Sequence, residues 1–175
     1  MSGNSPIERA LRLAAVTGLK ATFGPALISA KLRRPEHKTL AMAALAEMVV
    51  DVLPYMPSRS SLPLLVPRAV AGYWTAQKSL EADGVDDPGT AAMGAAVAVG
   101  VAIAAPMLRK LLSTVLRVPD AVLGLAEDYV ALKVGSQAAG LSMEDLRSIG
   151  TEAMCGMSES VQPLIEDVRY RLQLA

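Results

Sequence analysis

Pro88-Gly89-Thr90-Ala91-Ala92-Met93-Gly94-Ala95-Ala96-Val97-Ala98-Val99-Gly100-Val101-Ala102-Ile103-Ala104-Ala105-Pro106-Met107-Leu108 is the stretch on which the reading of the fold turns. It runs 21 residues without a charge, between Asp87 and Arg109. A helix that crosses a bilayer needs about 20 predominantly apolar residues. The acidic leader Asp83-Gly84-Val85-Asp86-Asp87 reads as a loop that ends in a helix start. Gly94, Ala98 and Ala102 recur at four-residue steps, as do Gly100 and Ala104. Such rows of small residues let helix backbones approach closely in lipid. The other reading of the same composition is a buried, Ala-rich helix of a soluble bundle.

The rest of the chain leans the same way, less strongly. Of 175 residues, 52% are apolar and 19% charged, against about 45–50% and about 25% in an ordinary soluble domain. The 29 alanines supply much of the apolar share, and aromatics make up only 3%. Ile7–Leu32, Thr39–Met56, Leu62–Ala76 and Ala121–Ala139 are further apolar stretches, each interrupted by charge or proline. No strand-like alternation appears, so the chain reads as all-α, with helices over about 7–32, 39–56, 62–80, 89–116 and 120–139. Leu62–Leu80 is expected to be half-length or re-entrant, because Pro63, Pro67 and Arg68 crowd its start. Near the N-terminus no secretory signal is read, since Lys20 interrupts the apolar run and no clear small-residue cleavage site precedes Lys31.

Several function classes are disfavoured at this level. Seventeen basic residues balance 17 acidic ones, which argues against a nucleic-acid partner. A single Cys155 and a single His37 exclude a structural zinc site and an internal disulfide, so no metal and no cofactor is read. There is no phosphate loop, dinucleotide fingerprint or nucleophile elbow, and the chain does not read as an enzyme. His37 falls in a basic loop as a surface histidine; Cys155, Met154 and Met157 read as packing or inert positions. Tyr73-Trp74 reads either as an interfacial anchor or as core at a helix end.

From Leu141 the character changes. Ser142 with Asp145 forms a capping-box pattern, and Leu146, Ile149, Ala153, Met157, Val161, Leu164, Ile165, Val168 and Leu172 then recur at helical spacing. This predicts an amphipathic helix, bent at Pro163, distinct from a membrane domain over 1–140. Its six acids against three arginines make an anionic membrane surface a poor partner. Packing on the rest of the chain, on a second copy or on a partner subunit is expected for 141–175.

Two stretches resemble one another. Thr17-Gly18, Gly24-Pro25 and Leu45-Ala46-Glu47 are echoed by Val99-Gly100, Ala105-Pro106 and Leu125-Ala126-Glu127. They define candidate repeat units over 7–80 and 89–140, with Gly18, Gly24, Pro25, Gly100 and Pro106 as candidate helix breaks. Inverted repeats with helices broken at matching positions are a transporter signature. The charges inside the apolar stretches carry the functional reading. Glu47 and Asp51 share a helix face, and an acid at a helix centre in lipid costs about 2.5–3.5 kcal/mol. They are expected to meet Glu127 and Asp128, with Lys20, Arg68 and Lys133 as the available cations. The alternatives are an ion or proton site, a set of buried salt bridges that fix helix register, and a water-exposed surface.

The block Ala44-Leu45-Ala46-Glu47-Met48-Val49-Val50-Asp51-Val52-Leu53-Pro54, with Thr17-Gly18-Leu19-Lys20, Gly24-Pro25-Ala26-Leu27, Arg68-Ala69-Val70-Ala71-Gly72, Val118-Pro119-Asp120 and Leu125-Ala126-Glu127-Asp128, resembles the bacterial membrane-protein family called domain of unknown function 4126. The resemblance covers roughly 7–140. It departs at Lys20, where arginine is expected, and at Val52, where lysine often follows the aspartate. It implies a multi-pass protein of the bacterial inner membrane and brings no activity. Together these readings predict a polytopic helical membrane protein of about five helices, set in the lipid bilayer, plus the C-terminal helix. The expected role is channel- or transporter-like, for a small solute or ion. The alternative is a non-catalytic interaction subunit, in the membrane or as a soluble helical bundle.

Overall fold

The computed structural model, which describes residues 5–50 and 62–173, is all-α: among the described residues there are seven helices and no strand. They are α1 Pro6–Leu19, α2 Phe23–Lys31, α3 His37–Val50, α4 Leu62–Ala82, α5 Pro88–Leu116, α6 Asp120–Ala139 and α7 Met143–Gln173. The helix starts follow local chemistry. Ser5 Oγ accepts from the Glu8 N–H at 3.2 Å, and Pro6 takes the first helical position of α1. Asp87 caps α5 by accepting from the Thr90 N–H and the Thr90 hydroxyl. The expected capping box of α7 is present, with the Asp145 N–H donating to Ser142 Oγ and the Ser142 N–H to Asp145 Oδ2. Gly140 ends α6 in the left-handed conformation, at φ 71°.

Helices α1, α4 and α5 pack against one another; α6 lies against α1 and α2, α2 against α3 and α4, and α7 against α3. The contact between the first three helices is made by small residues. Gly94, Ala98 and Ala102 of α5 are buried. A Cβ on Gly94 would sit 2.5 Å from Ala76 Cβ and 3.0 Å from the Gly72 carbonyl of α4. The backbones therefore meet with no side chain between them, the role expected of that row. The second row does not pack: Gly100 and Ala104 are exposed, and a Cβ on Gly100 would meet nothing within 4 Å. A larger core joins Leu13 and Val16 to Phe23, Leu27 and Ile28 of α2 and to Ala131 and Ala138 of α6. Trp74 packs on that core, under the Arg34 guanidinium 5.7 Å from its ring, whereas Tyr73 is partly exposed.

The structure corrects several expected boundaries. The stretch 7–32 is two helices, broken at Lys20-Ala21-Thr22 rather than at Gly24-Pro25, which lie in the first turn of α2 where glycine and proline cost little. Gly18 is in the last turn of α1. Gly100 and Pro106 break nothing, since α5 runs through both. Among the described residues the two units therefore do not share a broken helix at these matching positions. Leu62–Ala82 is a full helix through Pro67, with no half-length element, and Pro67 is exposed, where its ring meets little. Helix α7 continues through Pro163. Its apolar stripe packs in its first half, where Ala153 is fully buried and Gly156 faces Met42 of α3. Val161 and Ile165 are exposed, as are Met154 and Cys155, so Met154 is not a packing residue. Only α5, among the described residues, is long and apolar enough to cross a membrane. The multi-span expectation is thus met in one helix.

Two outcomes follow for stability. Gly94→Ala should destabilise by about 1–3 kcal/mol through overpacking, while Gly100→Ala, in open space, should be neutral or stabilising by up to about 1 kcal/mol; thermal unfolding followed by circular dichroism compares them. The Ser142 hydroxyl and N–H hold the Asp145 carboxyl below its usual range. A depressed carboxyl stabilises the folded state above its unfolded pKa, and that contribution disappears as pH falls through the folded value. The protection factors of amides in the first turn of α7, corrected for intrinsic exchange, should therefore fall on acidification below the ordinary carboxylate range, and Asp145→Asn should remove that fall.

Candidate functional site

The break between α1 and α2 leaves backbone groups that neither helix can satisfy, and the polar centre is built on it. At Lys20 the backbone turns extended, with φ −136° and ψ 114°. The N–H groups of Ala21 and Thr22 then face Glu47 of α3, donating at 2.9 and 3.0 Å to its two carboxylate oxygens. The Thr22 hydroxyl adds a third hydrogen bond, 2.6 Å to Glu47 Oε2. Glu47 thus caps α2 from another helix, placing negative charge at a positive helix end. Thr22, the residue at the cap position, makes no side-chain cap bond of its own.

Two cations complete the arrangement. Arg68 of α4 brings Nη2 within 3.6 Å of Glu47 Oε1 and donates from Nη1 to the Leu64 carbonyl at 3.0 Å. Lys20, only 1% exposed, extends its ammonium to Asp128 of α6 at 3.0 Å. Lys20, Glu47, Arg68 and Asp128 therefore form two ion pairs joined through the Lys20-Ala21-Thr22 backbone. The Nε of Arg68 and the hydroxyl of Ser29 are buried and have no hydrogen-bond partner among the described residues. A third pair, Arg109 Nη1 with Glu127 Oε2 at 3.8 Å, ties α5 to α6.

The expected residues are thus sorted differently from the acid cluster foreseen. Glu47, Asp128 and Glu127 do not converge; each meets a cation, and among the described residues no group of three or more His, Cys, Asp or Glu could hold a metal ion. Asp51, expected beside Glu47, lies outside the described residues. Lys133 joins none of these pairs; its ammonium lies 5.9 Å from the Tyr129 ring centre. His37 stands at the surface, with Nε2 3.7 Å from Glu152 of α7. The capping of α2 by Glu47 was missed by sequence reasoning, although Lys20-Ala21-Thr22 between two glycines was its signal.

Beside its apolar core, the bundle buries charge and exposes large apolar side chains. Lys20 and Arg68 are buried, whereas Val66 and Val70 of α4 are each 64% exposed, Met107 and Val115 of α5 67%, and Leu125 of α6 65%. A soluble domain ordinarily keeps charge outside and large apolar side chains inside. A second feature, also unforeseen, is a groove of about 1080 Å³ between α2, α3, α6 and α7, with mostly apolar walls. Comparison of the chain with protein-family models, curated proteins and solved structures finds no match.

Glu47→Ala should cost about 3–5 kcal/mol, because it strands the Arg68 guanidinium in the interior and leaves two helix-end N–H groups unmet. Glu47→Gln, which keeps an acceptor, should cost less. Denaturant unfolding of the two variants measures the difference.

Proposed function

We propose that the chain is a membrane-embedded helical protein, channel- or transporter-like, whose paired interior charges form a polar centre for a small ion or solute. Buried Lys20, Asp128 and Arg68, together with exposed Val66, Val70, Met107, Val115 and Leu125, carry this reading. Helix α5 fits the one span by length, since its 21 uncharged residues extend about 31 Å at about 1.5 Å per residue, against a hydrocarbon core of about 30 Å. Ionisable groups at that depth are expensive, and a protein that retains them usually uses them. An inner-membrane, multi-pass placement and the likeness to domain of unknown function 4126 belong to the same proposal.

A second reading has its own support. Glu47, Asp128 and Glu127 are each matched to a cation. That is what register-fixing salt bridges in a non-catalytic subunit would show. A surface for such a subunit's partner is at hand in the second half of α7, where exposed Val161 and Ile165 offer an apolar stripe.

The membrane assignment is tested by an alkaline carbonate wash of membranes from expressing cells; the chain should stay in the pellet, and release overturns the assignment. The role of the centre is tested by replacing a whole pair. Lys20→Met with Asp128→Leu should fold as stably as the parent, or up to about 1–4 kcal/mol more stably, yet abolish proton or alkali-cation flux into proteoliposomes. Flux that survives in this double variant would leave the charges a structural role only.

A further inference from the structure

We infer that the groove between α2, α3, α6 and α7 binds a long-chain fatty carboxylate, with its chain along the apolar walls and its head between Lys133 and Arg147. This does not rest on the membrane assignment, since the groove belongs to the helix packing. Its walls are apolar where a chain would lie: Phe23 and Leu27 of α2, Met48 of α3, Leu132 of α6, and Leu146 and Ile149 of α7. Its volume of about 1080 Å³ lies just above the roughly 300–1,000 Å³ of small-molecule sites, room for an extended chain.

The charges choose the head group. Lys133 on α6 and Arg147 on α7 both line the groove, and neither forms an ion pair among the described residues. The less exposed cations Lys20, Arg68 and Arg109 each have a carboxylate partner, whereas Lys133 and Arg147 lie exposed at the groove. Glu144 also lines the groove and pairs with neither cation, so the mouth keeps a net positive charge. Gln137 adds an amide donor on the α6 wall, whereas the Ser136 hydroxyl already donates to the Lys133 carbonyl at 3.0 Å. A carboxylate accepts from a guanidinium and an ammonium together, forming the stronger, charge-assisted class of hydrogen bond.

Gly150 gives the means of closing the site. It lines the groove, and a Cβ built on it would meet nothing within 4 Å. Gly150→Phe should therefore occupy part of the groove without disturbing the helices around it.

The experiment uses the purified full chain and a diazirine-bearing palmitate, with crosslinks mapped by mass spectrometry. Labelling should concentrate on the walls named above and be competed by palmitate. Gly150→Phe should reduce it while the circular dichroism spectrum is unchanged. Because Lys133 and Arg147 are exposed, Lys133→Gln with Arg147→Gln should leave the fold intact. That double variant should weaken palmitate competition about tenfold or more and leave competition by hexadecanol unchanged. The inference is overturned if labelling falls instead on the outer faces of α4 and α5, if Gly150→Phe does not affect it, or if phosphatidylglycerol displaces the probe better than palmitate does.

Discussion

The carboxylate of Glu47 on the N–H groups of Ala21 and Thr22 is the contact on which the other interior arrangements depend. A chain that stops one helix at Leu19 and begins another at Phe23 exposes donors in a place where water is scarce. An unmet buried N–H costs about 1–3 kcal/mol, so the break survives only because α3 brings an acceptor to it. The negative charge that meets those donors must itself be balanced, and Arg68 of α4 does so. The break also frees Lys20 to leave the helix axis and reach Asp128 of α6. One irregular turn of three residues thereby ties α1, α2, α3, α4 and α6 together.

This arrangement explains why the bundle can have a small-residue core. Ala10, Ala14, Ala76, Ala91, Ala98 and Ala102 bury little apolar area each, and the large side chains of α4, α5 and α6 point outward in good part. Close backbone contact among α1, α4 and α5 supplies dispersion where bulky side chains would supply it in an ordinary domain. Directional ion pairs then fix which helix faces which, a task that interchangeable alanine surfaces perform poorly. Buried ion pairs add little net stability, and a role in specificity suits them better.

The two ends of the molecule differ in kind. Among α1, α4 and α5 the contacts are tight. Lys38 and His37 of α3 lie near Glu152 of α7, and these two helices leave a groove between them and α2 and α6. Helix α7 closes one wall of that groove with its first half and extends beyond it with the second.

What the sequence determined by itself was local. Ser5, Asp87 and Ser142 mark helix starts, Gly140 marks an end, and the uncharged run from Pro88 marks the one long apolar helix; each acts on backbone groups within a turn of itself. The all-α class and the bounds of α6 were legible for that reason. The tertiary structure alone decided which of two similar glycine rows packs, why the break falls at Lys20 rather than Pro25, and which cation each acid meets. Those outcomes depend on residues far apart in the chain, and a carboxylate carries no mark of the helix end or guanidinium that will reach it. Only the packing of the helices brings Glu47 to the donors of Ala21 and Thr22, and with them settles the polar centre.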